Sequence, residues 1–312
     1  MRESKYQAKP FIKWVGGKSQ LISSIERSLP KAIYNTDSLT YIEPFVGGGA
    51  MLFWILGNLQ NIKKAIINDI NSDLTKTYTT IRDNASDLVL VLKRIEKEYK
   101  SLQTEESRKE FYLSQREKFN TKQIENVENS ALFIFLNRTC FNGLYRVNSN
   151  GLFNVPFGKY TNPTICDENT ILADSELLQK VEILTGDFEQ TFSHATENTL
   201  FYFDPPYKPL SKTSSFNSYA KEEFNDNDQI RLKRFCDKLD EKNYIWILSN
   251  SDVKSNDPTN DFFDDLYSDY KIDRVWASRS VNANPEKRGK LTELLITNHH
   301  NEKLVSRAQL IG

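Results

Sequence analysis

Tyr41-Ile42-Glu43-Pro44-Phe45-Val46-Gly47-Gly48-Gly49, followed by Lys64-Ala65-Ile66-Ile67-Asn68-Asp69, is the stretch from which the fold can be read. Tyr41 to Phe45 has the make-up of a short strand, the glycines that of its loop, and Ala50 to Leu56 that of a buried helix start. Ala65-Ile66-Ile67 is the continuous apolar centre of a strand covered on both faces. Strand, glycine loop, helix, strand is a βαβ unit. Glycines after the first strand let backbone N–H groups approach a ligand closely. Asp69 ends the next strand about 20 residues on, where such units place an acid for ribose hydroxyls. The run departs from G-x-G-x-x-G, which disfavours a dinucleotide.

Outward from this unit, strand-type runs resume at Val181 to Thr185, Thr199 to Asp204, Tyr244 to Ser249, Lys271 to Val275 and Leu291 to Thr297, with a helix from about Glu222 to Leu239. Strands alternating with helices predict an α/β fold with a mostly parallel, doubly wound sheet. Residues 75–170 interrupt the alternation, so they are expected as an insert in a domain made of 1–74 and 171–312. The insert has a helical pattern up to the apolar Ala131-Leu132-Phe133-Ile134-Phe135-Leu136. The pattern then alternates from Leu144 to Phe157 around the turn Asn148-Ser149-Asn150-Gly151, which predicts a small β-ribbon. Near the start, Gly16-Gly17 precedes Lys18 and a helix with Leu21, Ile22 and Ile25 on one face, stopped at Pro30.

A chain of 312 residues, 38% apolar and 27% charged, has the composition of a soluble globular protein with a sizeable core. It has no run of about 18 apolar residues and no apolar segment behind Met1-Arg2-Glu3-Ser4-Lys5, so no membrane role is expected and the cytoplasm is the default. Cys140, Cys166 and Cys236 are scattered without metal-type spacing, which predicts reduced thiols and no metal site. The net charge of −1 hides a segregation of sign. Between Glu128 and Asp167 there is no acid while Arg138, Arg146 and Lys159 are present; Lys208 to Lys221 is acid-free around Lys212, and Arg279, Lys287 and Arg288 follow an aspartate-rich stretch. Such segments suit a polyanion, although charge fluctuating along solvated loops produces the same pattern.

The sharpest chemical signal is Phe201-Tyr202-Phe203-Asp204-Pro205-Pro206-Tyr207. An apolar strand ends in an acid, and two prolines hold the next backbone stiff, presenting a tyrosine at the carboxyl edge of the sheet, where ligands bind. With Phe11-Ile12-Lys13-Trp14-Val15-Gly16-Gly17-Lys18, the triglycine loop and Gly186-Asp187-Phe188, this order of motifs resembles the Dam-like group (D12 class, alpha-group) of adenine-N6 DNA methyltransferases across nearly the whole chain. A nucleotide-triphosphate loop ending in Gly17-Lys18-Ser19 is ruled out, since Ile12 stands where its first glycine must be.

The resemblance implies a Rossmann-like fold and S-adenosylmethionine as methyl donor, held by Trp14, Lys18, Glu43, Phe45, Gly47, Gly48, Gly49, Asp69, Asp187, Phe188 and Asp204. It implies Asp204, Pro205, Pro206 and Tyr207 as the catalytic motif. The physics agrees, because the lone pair of the adenine amine is delocalised into the ring; acceptors such as the Asp204 carboxylate and the Pro205 carbonyl can bind its protons and favour an sp3-like nitrogen, while Tyr207 stacks on an extruded base. Asn137 to Arg146 and Gly151 to Tyr160 resemble the family's target-recognition hairpin, with Phe141 as a wedge, Arg146 at base edges, and Arg138, Asn142, Leu144, Pro156 and Lys159 as further DNA contacts. The implied partner is double-stranded DNA at GATC, with a longer site beginning GAT as the alternative, approached as a monomer or weak dimer and beside a cognate restriction endonuclease where one exists. Two rivals stay open: a methyltransferase of this fold acting on RNA or protein, and an inactive DNA-binding relative.

Overall fold

Hydrophobic alternation sorts the strands onto two packed faces. The computed structural model describes residues 7–14, 16, 18–208, 224–278 and 290–299. Among them β1 (Leu39–Glu43), β2 (Ile62–Asp69), β3 (Val181–Thr185), β4 (Thr199–Phe203), β5 (Ile245–Ser251), β6 (Lys271–Ser278) and β7 (Lys290–Thr297) form one seven-stranded sheet in the order β3-β2-β1-β4-β5-β7-β6. β1 to β5 are parallel, and β7 runs antiparallel between β5 and β6. This is the mostly parallel α/β sheet that the sequence predicts. The order reverses between β1 and β4, and the carboxyl ends of those two strands are where open α/β sheets place their ligands.

Because successive strand residues point to opposite faces, Tyr41, Ala65, Ile67, Leu200, Tyr202, Ile247 and Leu295 enter one core, and Ile42, Ile66, Phe201, Phe203, Trp246, Leu248, Leu294 and Ile296 enter the other. The helices are α1 (Ile22–Ser28), α2 (Ala32–Asn35), α3 (Ala50–Asn58), α4 (Ser72–Ser101), α5 (Glu105–Asn120), α6 (Asn126–Thr139), α7 (Glu168–Leu178), α8 (Asp226–Glu241) and α9 (Phe262–Leu266). α8 covers the second face through Leu232, Phe235, Cys236 and Leu239. The helical start expected at Lys18 is a single 3-10 turn, Lys18–Gln20, before α1.

The expected insert boundaries, 74/75 and 170/171, fall inside α4 and α7 rather than in linkers. α4 is one element of 30 residues, capped by Asn71 and broken locally at Asn84. Its buried stripe, Leu74 through Tyr99, joins the same core as Tyr41 and Ile67 of the sheet and Phe119, Phe135 and Phe153 of the segment between. The ribbon around Gly151 is held by two antiparallel bridges, Val147 with Phe153 and Cys140 with Phe157, and is pinned from α5. The Tyr112 hydroxyl donates to the Val155 carbonyl at 2.7 Å, and the Asn120 amide pairs with both the carbonyl and the N–H of Phe153. Cys140 and Cys236 are buried thiols and Cys166 is half-buried; all are reduced. No described helix is long and apolar enough to cross a membrane.

Candidate active site

β4 delivers Asp204 to the carboxyl edge of the sheet beside β1, whose end carries the triglycine loop. Asp204 Oδ1 lies 3.2 Å from Lys18 Nζ and accepts the Ser249 hydroxyl at 3.3 Å. Removal from water pushes its carboxyl up to about 6, against the opposing pull of the Lys18 ammonium and with a further push from Glu293. Lys18 is almost wholly buried; its ammonium sits 3.9 Å from the centre of the Tyr207 ring and is bonded to the Tyr207 hydroxyl. That hydroxyl donates to Glu293 Oε2 at 2.7 Å, and burial among carboxylates keeps the phenol protonated, well above its ordinary range. Pro205 is buried and Pro206 exposed, and the Pro206 carbonyl is propped by the buried Gln229 amide of α8 at 3.2 Å.

One strand away, Asp69 ends β2 with Oδ2 accepting the Gly47 N–H at 3.0 Å and Oδ1 accepting the Asn71 N–H at 2.9 Å. Desolvation raises its carboxyl above the usual range although these two amides oppose the shift. The glycine loop is packed from within. A Cβ on Gly47 or Gly48 would come within 2.9 Å of the Trp14 side chain. The Trp14 ring stacks on Tyr145 at 5.9 Å. Asn68 ties the neighbouring turns together, donating to the Pro44 and Gly186 carbonyls at 2.9 and 3.0 Å.

Three expected donor contacts are placed differently from a simple open site. The Glu43 side chain is buried against the Tyr41 hydroxyl at 2.8 Å, and burial holds its carboxyl well above the carboxylate range. Phe188 is a core ring between Phe45 and Phe235, with the Arg231 guanidinium over it at 4.5 Å. Asp187 caps the following turn by accepting the Glu189 N–H and is ion-paired with Arg231.

On the expected DNA face, Phe141 is 52% exposed, a large ring left in water at the tip of the turn Phe141–Gly143. Asn142 holds a left-handed φ of 55° there, and Leu144 is half-buried. Arg146 is exposed, bonded to Asn154 Oδ1 at 2.8 Å across the ribbon, and Lys159 pairs with Glu105 at 2.9 Å at the surface. The Pro156 carbonyl accepts the Phe141 N–H. Arg138 is turned inward, donating to the Phe11 carbonyl at 2.7 Å, and so ties α6 to the segment that leads to Lys18. Asn137 does the same with three bonds, to both backbone groups of Lys13 and to the Gly143 carbonyl. Lys212, Arg279, Lys287 and Arg288, and with them most of the acid-free stretch after Lys208, lie outside the described residues.

Sequence reasoning missed Ser249, Gln229 and Glu293, and gave Tyr202 and Asn137 no role of their own within the motifs that contain them. The Tyr202 hydroxyl meets Ser249 Oγ at 3.0 Å, behind Asp204. For Glu293 a signal existed: it is the lone acid within the apolar run Leu291 to Ile296.

Comparison with known proteins agrees with this geometry. A family described as D12 class N6 adenine-specific DNA methyltransferase matches residues 14–281. The chain is 48% identical over 296 residues, 94% of its length, to the whole of the type II methyltransferase M.MjaIII of Methanocaldococcus jannaschii. It is 38% identical over 306 residues to the type II methyltransferase M1.LlaDCHI of Lactococcus lactis, covering 96% of this chain and 99% of that one. It is also 34% identical over 292 residues to the DNA adenine methylase of Haemophilus influenzae, covering 93% of this chain and 94% of that one. With Asp204-Pro205-Pro206-Tyr207 on the edge of the parallel sheet and Asp69 beside the glycine loop, the chain belongs to the D12 class of N6 adenine-specific DNA methyltransferases.

Proposed function

We propose that this enzyme moves the methyl group of S-adenosylmethionine to N6 of an adenine flipped out of duplex DNA, most simply the adenine of GATC. The observation that carries the reading is that two acids flank the end of β1: Asp69 of β2 against the glycine loop on one side, and Asp204 after β4, between Lys18 and Ser249, on the other. The residues around Asp69 suit such a donor, since its carboxylate stands at the end of β2 against the Gly47 N–H, an acceptor beside a loop of three glycines that carries no side chains. Asp69 would hold the ribose hydroxyls, with Phe45 and the Gly186 turn bordering the adenine ring. When bound, the donor supplies an electrophilic methyl group.

The Asp204 carboxylate accepts a proton of the target amine as its nitrogen becomes pyramidal, which favours the transition state over the planar ground state. The Pro205 carbonyl accepts a hydrogen bond from the second amine N–H, which stays on the nitrogen. Lys18 holds the hydroxyl edge of the Tyr207 ring, and the ring stacks on the base. Residues 75–170 read the target: Phe141 fills the gap left by the base, Arg146 takes a guanine edge, and Lys159 exchanges Glu105 for a phosphate. The enzyme works as a monomer or weak dimer, beside a restriction endonuclease where one is encoded.

The deciding experiment is methylation-aware sequencing of DNA from cells expressing this chain or its Asp204→Ala variant. The parent is expected to mark the A of GATC, and the folded variant to leave it unmarked. Near-parental methylation by Asp204→Ala would remove the proposed role of the carboxylate.

A further inference from the structure

Glu293 lies in the middle of β7, opposite Ser251 of β5 and Val275 of β6, with apolar Leu294, Leu295 and Ile296 following it. A carboxylate so placed costs stability unless its partners repay the desolvation. Both of its described partners belong to the methyl-transfer corner. Glu293 Oε2 stands 3.2 Å from Lys18 Nζ and accepts the Tyr207 hydroxyl at 2.7 Å. The Glu293 and Lys18 side chains are 13% and 5% exposed, so the pair is poorly screened by water. Lys18 is in turn 3.2 Å from Asp204, which makes one ammonium shared between two carboxylates.

We propose that Glu293 is a positioning residue for methyl transfer: it latches the Tyr207 ring through its hydroxyl and draws Lys18 away from an exclusive ion pair with Asp204. The inference rests on the reading above that Asp204 and Tyr207 receive the target adenine. An ammonium bound only to Asp204 would occupy the lone pairs needed for the amine and weaken the carboxylate as an acceptor. Glu293 supplies the second anchor and keeps Asp204 competent. The groups that face Asp204 are Lys18 from the N-terminal segment, Ser249 of β5, Tyr202 of β4, Glu43 of β1, Tyr207 and Glu293; Lys18 and Ser249 pull its proton affinity down, and Glu293 pushes it up.

The test uses the full chain and its Glu293→Gln and Glu293→Asp variants, with kcat followed against pH at saturating donor and duplex oligonucleotide. Glu293→Gln keeps shape and loses charge, so its acid limb is expected to move roughly half to one unit lower. Its kcat at pH 8 is expected to fall about tenfold. Glu293→Asp keeps the charge but cannot reach both partners; its limb stays nearer the parent's while kcat falls. A merely structural role would lower the melting temperature and leave the acid limb of Glu293→Gln in place, and that outcome overturns the proposal. Should Glu293→Gln not fold, Glu293→Asp decides alone, since parental kcat in that variant also overturns it. A parent chain that methylates no adenine in duplex DNA would instead refute the underlying functional reading, before any variant is made.

Discussion

Asp174, on α7, is wholly buried; its Oδ1 accepts the Lys9 N–H at 3.1 Å, while Oδ2 has no hydrogen-bond partner. Desolvation pushes its carboxyl up to about 8. An acid whose folded value lies above its unfolded value of about 3.9 contributes stability that is fully present at low pH and is lost as pH rises through the folded value. Asp174→Asn keeps an acceptor for Lys9 and removes that loss. Its stability advantage over the parent is therefore expected to widen between pH 5 and pH 9 in urea melts; a constant difference would show that Asp174 does not titrate there. Asp69, the acid of the proposed donor site, accepts two backbone amides instead. Asp69→Ala is expected to raise the donor dissociation constant by about 1.5–3 kcal/mol, the worth of a hydrogen bond to a charged group, with little change in DNA affinity. Calorimetry showing equal donor affinity would reject the assignment.

Among the elements, the glycine loop is shaped as much by its neighbours as by any ligand. Gly49 holds φ at +75°, and a Cβ there would lie 2.4 Å from the Tyr78 hydroxyl, which itself donates to the Gly47 carbonyl. Gly49→Ala is expected to cost about 2 kcal/mol or more, from the left-handed backbone and the clash together. Adding Tyr78→Phe should recover the clash but not the backbone strain. A strictly additive double mutant, in denaturant melts, would place the cost elsewhere. The loop was legible in the sequence because glycines, an apolar strand and a trailing acid are local signals. Tyr78 was not, because it reaches the loop from α4 through the fold. The Asp204 corner divides the same way: Asp204 to Tyr207 announce themselves in four residues, whereas the partner that Lys18 finds in Glu293 is 275 positions away. The Arg138 side chain, read from its acid-free surroundings, is turned inward because a carbonyl of the N-terminal segment lies within reach. Each strand was readable in place from its apolar run, but not always in its ends: β1 starts and stops two residues before the expected bounds and β6 runs three residues beyond them, because backbone pairing continues where the apolar pattern does not. The insert boundaries fall within α4 and α7, where the helices continue across them.

For the whole molecule, one core runs from the sheet through α4 and α6 into the ribbon, so residues 75–170 are not expected to unfold by themselves. Phe135, fully buried on α6 and packed on Tyr99 and Phe111 at 5.8 and 5.6 Å, is central to it. Phe135→Ala is expected to cost about 3–5 kcal/mol. That loss should shift the transition seen by fluorescence in a chain that keeps Trp246, on the far side of the sheet, as its one tryptophan, together with the transition seen by far-ultraviolet dichroism. Two separated transitions would mean that residues 75–170 fold as their own unit.

The placement of β7 also governs when the enzyme comes into being during its own synthesis. Domains generally fold as the chain emerges, N-terminal parts first. Lys18, Asp69 and Asp204 can therefore leave the ribosome long before Glu293. Yet β7 is inserted between β5 and β6, and is the only strand that β6 pairs with in the described sheet. A nascent chain stopped short of it exposes the edge of β5 and lacks one of the two carboxylates that anchor Lys18. A premature stop late in the reading frame would thus remove an interior strand rather than trim an end, and leave a product that carries every motif recognisable in its sequence but has an unfinished site.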